Sequence, residues 1–226
     1  MPGAEEPDLA TLRKDYGDAG LTEDAADPDP FVMFRRWFAD AQDAHLHEPN
    51  AMVVATVSPE GKPSARMVLL KGLNDGADGA DGGFAFFTNT TSRKGEDLAH
   101  EQHCALLFPW HPLERQVRVE GVAARLTDAE VAAYFSARPR GSQLGAHASP
   151  QSRVVASRAE LDARYAEAEQ RYGGPDGGPV PVPPDWGGYR VRPEMFEFWQ
   201  GRPGRMHDRL RYRRGDGGWV VDRLAP

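Results

Sequence analysis

The chain has 226 residues, of which 40% are hydrophobic, enough to bury the core of one large domain or two small ones. Its net charge of -7 and pI near 5.5 argue against a general nucleic-acid-binding protein, which would present a basic surface. A single cysteine, Cys104, excludes an intramolecular disulfide. The sequence shows neither a signal-peptide core nor an apolar run of roughly 20 residues, so a cytoplasmic location is predicted.

The amino-terminal part of the chain predicts a largely flexible arm followed by one domain. Residues 1–27 are rich in Asp, Glu, Ala and Gly with little periodicity, and residues 28–226 would form the single domain. A helix is expected to begin at Pro30, with Asp29 as its N-cap. Apolar residues then recur at helical spacing and would pack on a sheet: Phe34, Trp37, Phe38 and Ala41.

Short strands and tight turns are predicted next. Residues 51–57 and 62–72 are rich in branched side chains and are typical of a β-hairpin that turns at residues 58–61. The acidic, glycine-rich residues 73–83 are expected to be a loop, and residues 84–89 resume the strand pattern. Two more strands are expected in residues 104–110 and 114–126.

The second half predicts two helices and three strands. Each helix opens on the pattern of a capping box, which pairs Thr127 with Glu130 and Ser157 with Glu160. The proline- and glycine-rich residues 173–184 would run extended over the surface. The final strands are expected in three segments: 187–201, 209–214 and 219–224.

The resulting seven or eight strands, with few helices between them, favour an antiparallel barrel. A parallel sheet would need a crossover helix for each successive strand. The predicted fold class is therefore mainly β, an antiparallel barrel with peripheral helices.

Two adjacent cations, Arg93 and Lys94, open the helix that follows residues 86–92. A helix N-terminus carries partial positive charge, so cations there destabilise the helix unless an anion lies between them and the free amides. Amides, a guanidinium and an ammonium together suit a phosphate group. Nearby hydroxyls add donors: Thr88, Thr90, Thr91 and Ser92.

Other cations lie beside strand ends and turns: Arg66 with Lys71, Arg138 with Ser142, and Arg205 with His207 and Arg209. Any one of them is more often a solvated surface residue. Alternate residues of a strand share a face, so the last three would converge on one pocket if their segment is extended.

No metal site is predicted. The histidines of "HEQHC", residues 100–104, are three apart, whereas the zinc-protease helix motif needs a spacing of four. A P-loop, a dinucleotide fingerprint and a nucleophile elbow are also absent from the sequence.

Seven motifs together resemble the bacterial pyridoxine/pyridoxamine 5'-phosphate oxidases, in order from about Arg13 to Pro226. They are "ARMVLLKG", "FFTNTTSRK", "LLFPWHPLERQVRVEG", "YFSARPRGSQLGA", "EFWQG", "RMHDRL" and "DRLAP". The resemblance implies a split β-barrel of the FMN-binding type and a homodimer with FMN at the subunit interface. It also implies oxidation of pyridoxamine or pyridoxine 5'-phosphate to pyridoxal 5'-phosphate, with a hydride passing from substrate C4' to flavin N5. Dioxygen would be the electron acceptor and hydrogen peroxide the second product.

The resemblance also implies the site residues. The FMN contacts would be Arg66, Val68, Lys71, Phe87, Thr88, Arg93, Lys94, Gln116, Gln151, Ser152, Trp199 and Arg209. The substrate phosphate would be held by Lys71, Tyr134, Arg138 and Ser142. Arg205 and His207 would be catalytic, orienting the substrate and stabilising charge at the reacting carbon. An amino-terminal segment would add substrate contacts: Arg13, Lys14, Asp15 and Tyr16.

The chain departs from the family pattern at Phe87, where many relatives have Tyr, and at His147, which replaces a Trp. Two other readings stay open. One is a different split-barrel flavoprotein, such as a flavin reductase or a deazaflavin-dependent oxidase. The other is a non-catalytic module that binds FMN or pyridoxal phosphate.

Overall fold

A computed structural model describes residues 14–76, 82–173 and 177–226. Their contacts form two compact units. The terminal unit comprises the described part of Met1–Leu46 with Pro109–Val117 and Phe196–Pro226, and the central unit comprises the described parts of His47–Phe108 and Arg118–Met195. One domain over residues 28–226 therefore stays a prediction.

Five helices and nine strands occur in the described residues. The helices are α1 (Pro30–Asp43), α2 (Arg93–His100), α3 (Asp128–Ala137), α4 (Arg140–Ala148) and α5 (Arg158–Tyr172). The strands are β1 (Ala51–Val57), β2 (Pro63–Leu69), β3 (Gly72–Asn74), β4 (Gly83–Asn89), β5 (His103–Trp110), β6 (Arg115–Arg125), β7 (Trp186–Gln200), β8 (Asp208–Gly215) and β9 (Gly218–Arg223). Among the described residues, no helix is long and apolar enough to cross a membrane.

The strands pair in the order β2-β1-β5-β6-β7-β4-β3, and β8 pairs with both β7 and β9. Pairing is antiparallel between β1 and β2, where Val54 faces Arg66, and between β4 and β7, where Thr88 faces Gly187. The hairpin predicted at residues 51–72 is confirmed, as is the strand at 84–89.

Within the terminal unit, α1 begins as its sequence predicts. The Asp29 side chain accepts a hydrogen bond of 2.9 Å from the backbone N–H of Phe31, and Pro30 occupies the first turn. Trp37 packs edge-on against Phe198 of β7, with ring centroids 5.3 Å apart. The predicted packing of this helix on strands is therefore confirmed.

The described part of the predicted arm also makes contacts in this unit. The Leu21 side chain is buried, and its backbone N–H donates to Asp208 at 2.9 Å. The Gly17 N–H donates to Glu114 at 2.7 Å. The arm's predicted mobility stays a prediction, and residues 1–13 lie outside the described part of the chain.

The central unit has an aromatic core in which Phe84 and Phe108 lie 5.7 Å apart. β6 passes close to β7 at Gly121, where a Cβ would collide with the Arg192 carbonyl. Cys104 is buried on β5, and its burial raises the pKa of the thiol to about 12. This thiol therefore stays protonated and unreactive at neutral pH.

Two predictions of local structure were wrong. Residues 72–74, predicted to lie largely in a loop, form β3, in which Leu73 pairs with Phe84 of the neighbouring strand β4. Residues 77–81 of the predicted loop lie outside the described residues. A third helix, α4, follows α3 directly. Its sequence has two glycines and no side-chain cap, but the Gln143 amide donates to three carbonyls at the end of α3, which joins the two helices.

The segment around Arg205 is not extended. Pro203–Arg205 forms a short 3-10 turn, in which Arg205 has a φ of 62°, and β8 begins only at Asp208. The condition for Arg205, His207 and Arg209 to share one strand face is therefore not met, because Arg205 and His207 precede β8.

Candidate functional site

The central unit contains a cavity of about 290 Å³, formed by β2, the end of β4, the start of α2 and the end of α3. Most of its lining residues were predicted from the sequence: Arg66, Val68, Lys71, Phe87, Thr88, Lys94, Tyr134, Arg138 and Gln151. The three others are Met67, Leu69 and Trp186. The structure therefore brings together residues that are far apart in the sequence.

Lys94 is a buried cation without a carboxylate partner among the described residues; its side chain is 9% exposed. Its Nζ donates to Gln151 Oε1 at 2.7 Å, Thr88 Oγ1 at 3.1 Å and Ser92 Oγ at 3.3 Å. Burial, and secondarily the charge of Arg66, lower the pKa of Lys94 to about 8. All its acceptors are neutral, so an anion bound here would stabilise the charged amine.

Arg66 lies in the same cavity and is fixed from behind by a polar network. Its guanidinium donates to Thr56 Oγ1 at 2.7 Å, to the Val54 carbonyl at 3.3 Å and to Ser64 Oγ. The buried carboxylate of Asp97 lies 3.8 Å away. Burial lowers the pKa of Arg66, which stays charged.

Asp97 organises this network and was not found by sequence reasoning. Its Oδ2 accepts from Thr56 Oγ1 at 2.6 Å and from Ser64 Oγ at 3.3 Å. The available signal was a carboxylate one turn after the Arg93–Lys94 pair on the same helix. That spacing does not predict the contacts of Asp97 with Thr56 of β1 and Ser64 of β2.

The start of α2 has the features of an anion site. Ser92 is the N-cap residue, but its hydroxyl donates to the Asn89 carbonyl at 2.7 Å and caps no amide. Gly95 allows the helix to approach the preceding turn, because a Cβ there would collide with the Thr90 carbonyl. Arg93 is exposed and does not line the cavity, so its role stays a prediction.

Arg138 is another cation of the cavity without a carboxylate partner among the described residues. Its guanidinium carbon lies 4.1 Å from the centre of the Trp186 ring, and its Nη1 is buried without a hydrogen-bond partner among the described residues. Burial lowers the pKa of Arg138 and raises that of Tyr134. The Tyr134 ring stacks on Phe87, with centroids 3.8 Å apart and planes 11° apart.

The predicted residues of the terminal unit form a separate aromatic group. The Trp199 and His207 rings lie 4.7 Å apart, and Tyr16 packs edge-on against both. The backbone N–H of Arg202 donates to His207 Nδ1 at 3.1 Å, so a neutral His207 carries its proton on Nε2. Arg209 donates to the buried carboxylate of Glu197 at 3.0 Å.

The remaining predicted residues do not line the cavity. Ser142 is exposed in the first turn of α4, Ser152 is exposed with a φ of 68°, and Gln116 is partly buried on β6. Lys14 lies 3.6 Å from Glu114, and Asp15 is exposed. Arg13 lies outside the described residues. Within residues 14–76, 82–173 and 177–226, no group of three or more His, Cys, Asp or Glu side chains could hold a metal ion.

The cavity can therefore bind anions at two positions, one at Lys94 and Arg66 and the other at Arg138. Its aromatic and aliphatic lining, from Phe87, Tyr134 and Val68, suits a planar ring. This combination fits a ligand that carries both a ring and a phosphate.

Comparison with known families gives two matches that together span most of the chain. The family Pyridoxamine 5'-phosphate oxidase matches residues 38–172. The family Pyridoxine 5'-phosphate oxidase C-terminal dimerisation region matches residues 186–226.

Curated relatives match over nearly their full length. A pyridoxine/pyridoxamine 5'-phosphate oxidase of Nocardioides sp. is 62% identical over 219 residues, which cover 97% of this chain and 98% of the relative. Another protein of that name, from Rubrobacter xylanophilus, is 56% identical over 226 residues and the full length of both chains.

Solved structures agree on the fold. PhzG from Burkholderia lata, solved with tetrahydrophenazine-1-carboxylic acid, has a TM-score of 0.83 at 30% identity and covers 92% of this chain and 99% of its own. An FMN-binding protein of Nostoc punctiforme, related to pyridoxamine 5'-phosphate oxidase, has a TM-score of 0.67 at 16% identity and covers 89% and 100%. The predicted split antiparallel β-barrel with peripheral helices is confirmed.

Proposed function

Because the chain belongs to the pyridoxamine 5'-phosphate oxidase family, we propose that it oxidises pyridoxamine 5'-phosphate and pyridoxine 5'-phosphate to pyridoxal 5'-phosphate. FMN is the proposed cofactor, dioxygen the electron acceptor and hydrogen peroxide the second product. The observation that carries the proposal is that Lys94, which is buried, and Arg138, which is half-buried, line one ring-sized cavity without a carboxylate partner among the described residues. Buried charges without partners are costly, so their presence favours an anionic ligand.

The residues around Lys94 fit the phosphate of a flavin nucleotide. Lys94 and Arg66 supply charge-assisted donors, and the uncapped start of α2 supplies backbone amides. Phe87 and Val68 provide apolar surface for the ring. Bound FMN would supply the chemistry that accepts a hydride from substrate C4' and passes both electrons to dioxygen.

The protein's own residues then bind and align the substrate. Arg138, Lys71 and Tyr134 of the cavity, together with the exposed Ser142 of α4, would hold the substrate phosphate and so fix the distance from C4' to the cofactor ring. His207, with its proton on Nε2, would donate a hydrogen bond to the substrate, and Arg205 would add positive charge. Oxidation of the amine gives an imine, which water hydrolyses to the aldehyde with release of ammonia, whereas oxidation of the alcohol gives the aldehyde directly.

We propose further that the enzyme is a homodimer with FMN at the subunit interface. The match of residues 186–226 to a dimerisation region supports this arrangement. Predicted flavin contacts outside the cavity, namely Gln116, Ser152, Trp199 and Arg209, would then include residues of the partner subunit. A monomeric variant is expected to bind FMN weakly.

The direct test is to purify the protein, record a flavin spectrum and add pyridoxamine 5'-phosphate under air. The oxygen consumed should equal the hydrogen peroxide and the pyridoxal 5'-phosphate that are formed. Pyridoxamine, which lacks the phosphate, should react poorly. A flavin-loaded protein without turnover would reject the proposed activity and leave a binding module. Oxidation of NADH or of a reduced deazaflavin instead would indicate a different flavoprotein.

Two sequence predictions remain proposals of their own. The cytoplasmic location can be tested by fractionating cells that express the protein. The flexible arm over residues 1–27 can be tested by limited proteolysis, which should cut there before it cuts elsewhere.

A further inference from the structure

The guanidinium of Arg138 is held by aromatic rings and has no carboxylate partner among the described residues. It lies 4.1 Å from the centre of the Trp186 ring and 5.6 Å from that of Phe135. A guanidinium stacked on an aromatic face keeps its in-plane N–H groups free for an anion. The aromatic rings therefore hold the Arg138 guanidinium in position, as a carboxylate often does for an arginine in an ion pair.

Trp186 is itself fixed on two sides. It pairs with Asn89 in the β4–β7 register, and its ring packs edge-on against Phe135 with centroids 5.9 Å apart. The neighbouring Asp185 carbonyl accepts from the Thr90 N–H at 2.7 Å and from the Thr90 hydroxyl at 3.0 Å. A ring held by a strand and a turn in this way provides a rigid surface.

The rigidity has a consequence for binding. An arginine side chain has many rotamers, and each ordered rotamer costs free energy when a ligand immobilises it. An arginine that is already held against an aromatic ring loses less conformational entropy when the ligand binds. It also presents its donors in a fixed direction, which suits a planar bidentate contact with a phosphate.

We infer that Trp186 is a positioning residue that holds Arg138 for the substrate phosphate and so sets the preference for phosphorylated substrates. The inference rests on the proposed function. It assigns Trp186 no contact with the reacting atoms. Its effect should therefore appear in KM for phosphorylated substrates and be transmitted through Arg138.

The test compares Trp186→Phe with Trp186→Leu in the FMN-loaded enzyme. The Leu variant should raise KM for pyridoxamine 5'-phosphate about tenfold, since a partly desolvated cation–π contact is lost. The Phe variant should keep most of the wild-type KM. Both should keep kcat and FMN affinity within about twofold if Trp186 acts only on binding of the phosphate.

Trp219 supplies a matched control because Arg214 lies 4.0 Å from the centre of its ring and neither residue lines the cavity. Trp219→Leu removes the same type of contact and should leave KM unchanged. A double-mutant cycle adds the second criterion. In an Arg138→Met background, Trp186→Leu should no longer change KM, because the residue through which it acts is gone.

The inference is overturned if Trp186→Leu leaves KM unchanged, if kcat or FMN affinity falls as much as KM rises, or if the effect persists without Arg138. Should the Leu variant fail to fold, fluorinated tryptophan placed at position 186 weakens the contact with little change of shape, and KM should rise with each added fluorine. Calorimetry with pyridoxal 5'-phosphate repeats the comparison without turnover. If the wild type shows no oxidase activity, the proposed function fails. The inference is still supported in that case if Trp186→Leu weakens pyridoxal 5'-phosphate binding in the presence of Arg138 and does not weaken it in the Arg138→Met background.

Discussion

The cations of the cavity and the arginines of the carboxy-terminal strands differ in their partners. Five arginines of the terminal unit lie within ion-pair distance of a carboxylate: Arg202, Arg209, Arg211, Arg213 and Arg223. In the cavity, Lys71, Lys94 and Arg138 have no such partner among the described residues, and only Arg66 has a carboxylate within 3.8 Å. The comparison suggests a division of roles: a cation neutralised within the chain stabilises the fold, whereas an unneutralised one is available to a ligand.

The largest expected effect is on stability, from Arg209→Met. The carboxylate of Glu197 is 3% exposed, so Arg209→Met removes one partner of a buried ion pair and should lower the free energy of unfolding by about 3 kcal/mol. Urea denaturation of the cofactor-free protein measures this. Arg213→Met is the control, because its pair with Asp222 is exposed and should contribute less than about 1 kcal/mol. Equal losses in the two variants would contradict the comparison.

Lys94→Met should act mainly on FMN binding, whereas Arg209→Met acts on the free energy of unfolding. Loss of a charge-assisted contact in a buried site should weaken FMN binding about a hundredfold. Arg93→Met, on the exposed neighbour, should change it only a few-fold, since a contact there is screened by water. Flavin fluorescence quenching on titration of the cofactor-free protein gives both values. A larger effect at Arg93 would show that the exposed residue turns inward on binding.

Arg138→Met should raise KM for pyridoxamine 5'-phosphate by about tenfold or more, because a guanidinium–phosphate contact is lost. The stability of the unliganded protein should stay the same or increase, since a half-buried charge without a partner is removed. Thermal unfolding and steady-state kinetics test the two halves separately. A marked loss of stability would mean that Arg138 is a structural residue.

The smallest effect concerns pH and the amine of Lys94, whose pKa is lowered to about 8 in the unliganded protein. An anion favours the charged amine, so FMN affinity should be constant below about pH 8 and fall by at most tenfold per unit above it. The stability of the unliganded protein should change in the opposite sense. In the unfolded chain the lysine keeps its proton up to its ordinary pKa of 10.5, so stability should rise with pH between about 8 and 10.5.

FMN titrations between about pH 7 and 9 test the affinity prediction. Lys94→Met should abolish the pH dependence, because the titrating group is absent. A dependence that survives in this variant would assign the titration to another group.

Local patterns predicted much of the fold because they depend on neighbours in the sequence. The N-cap at Asp29, the capping box at Thr127 and the strand Ala51–Val57 all depend on residues within one turn or one strand. The helix α4 was missed because its stability comes from Gln143 contacts with α3, which no propensity records. The turn at Arg205 was not predicted, because the alternation of Arg205, His207 and Arg209 was considered only for an extended segment.

The candidate site shows the same limit. The dipole argument identified the start of α2 but could not separate Lys94 from Arg93, because burial decides between them. Asp97 and Trp186 reach the site through strand pairing and packing with distant segments. Motif resemblance supplied Arg138, whereas its lack of a carboxylate partner could be learned only from the structure.

Cys104 offers a practical advantage for studying the assembly. It is the chain's one cysteine, and it is buried with a protonated thiol, so maleimide and thiol-specific nitroxide reagents should not modify it. A cysteine introduced at an exposed position, such as Val154, would then carry a probe without any prior removal of native thiols. Distances between two spin labels, one on each copy, would map how the copies are arranged in solution.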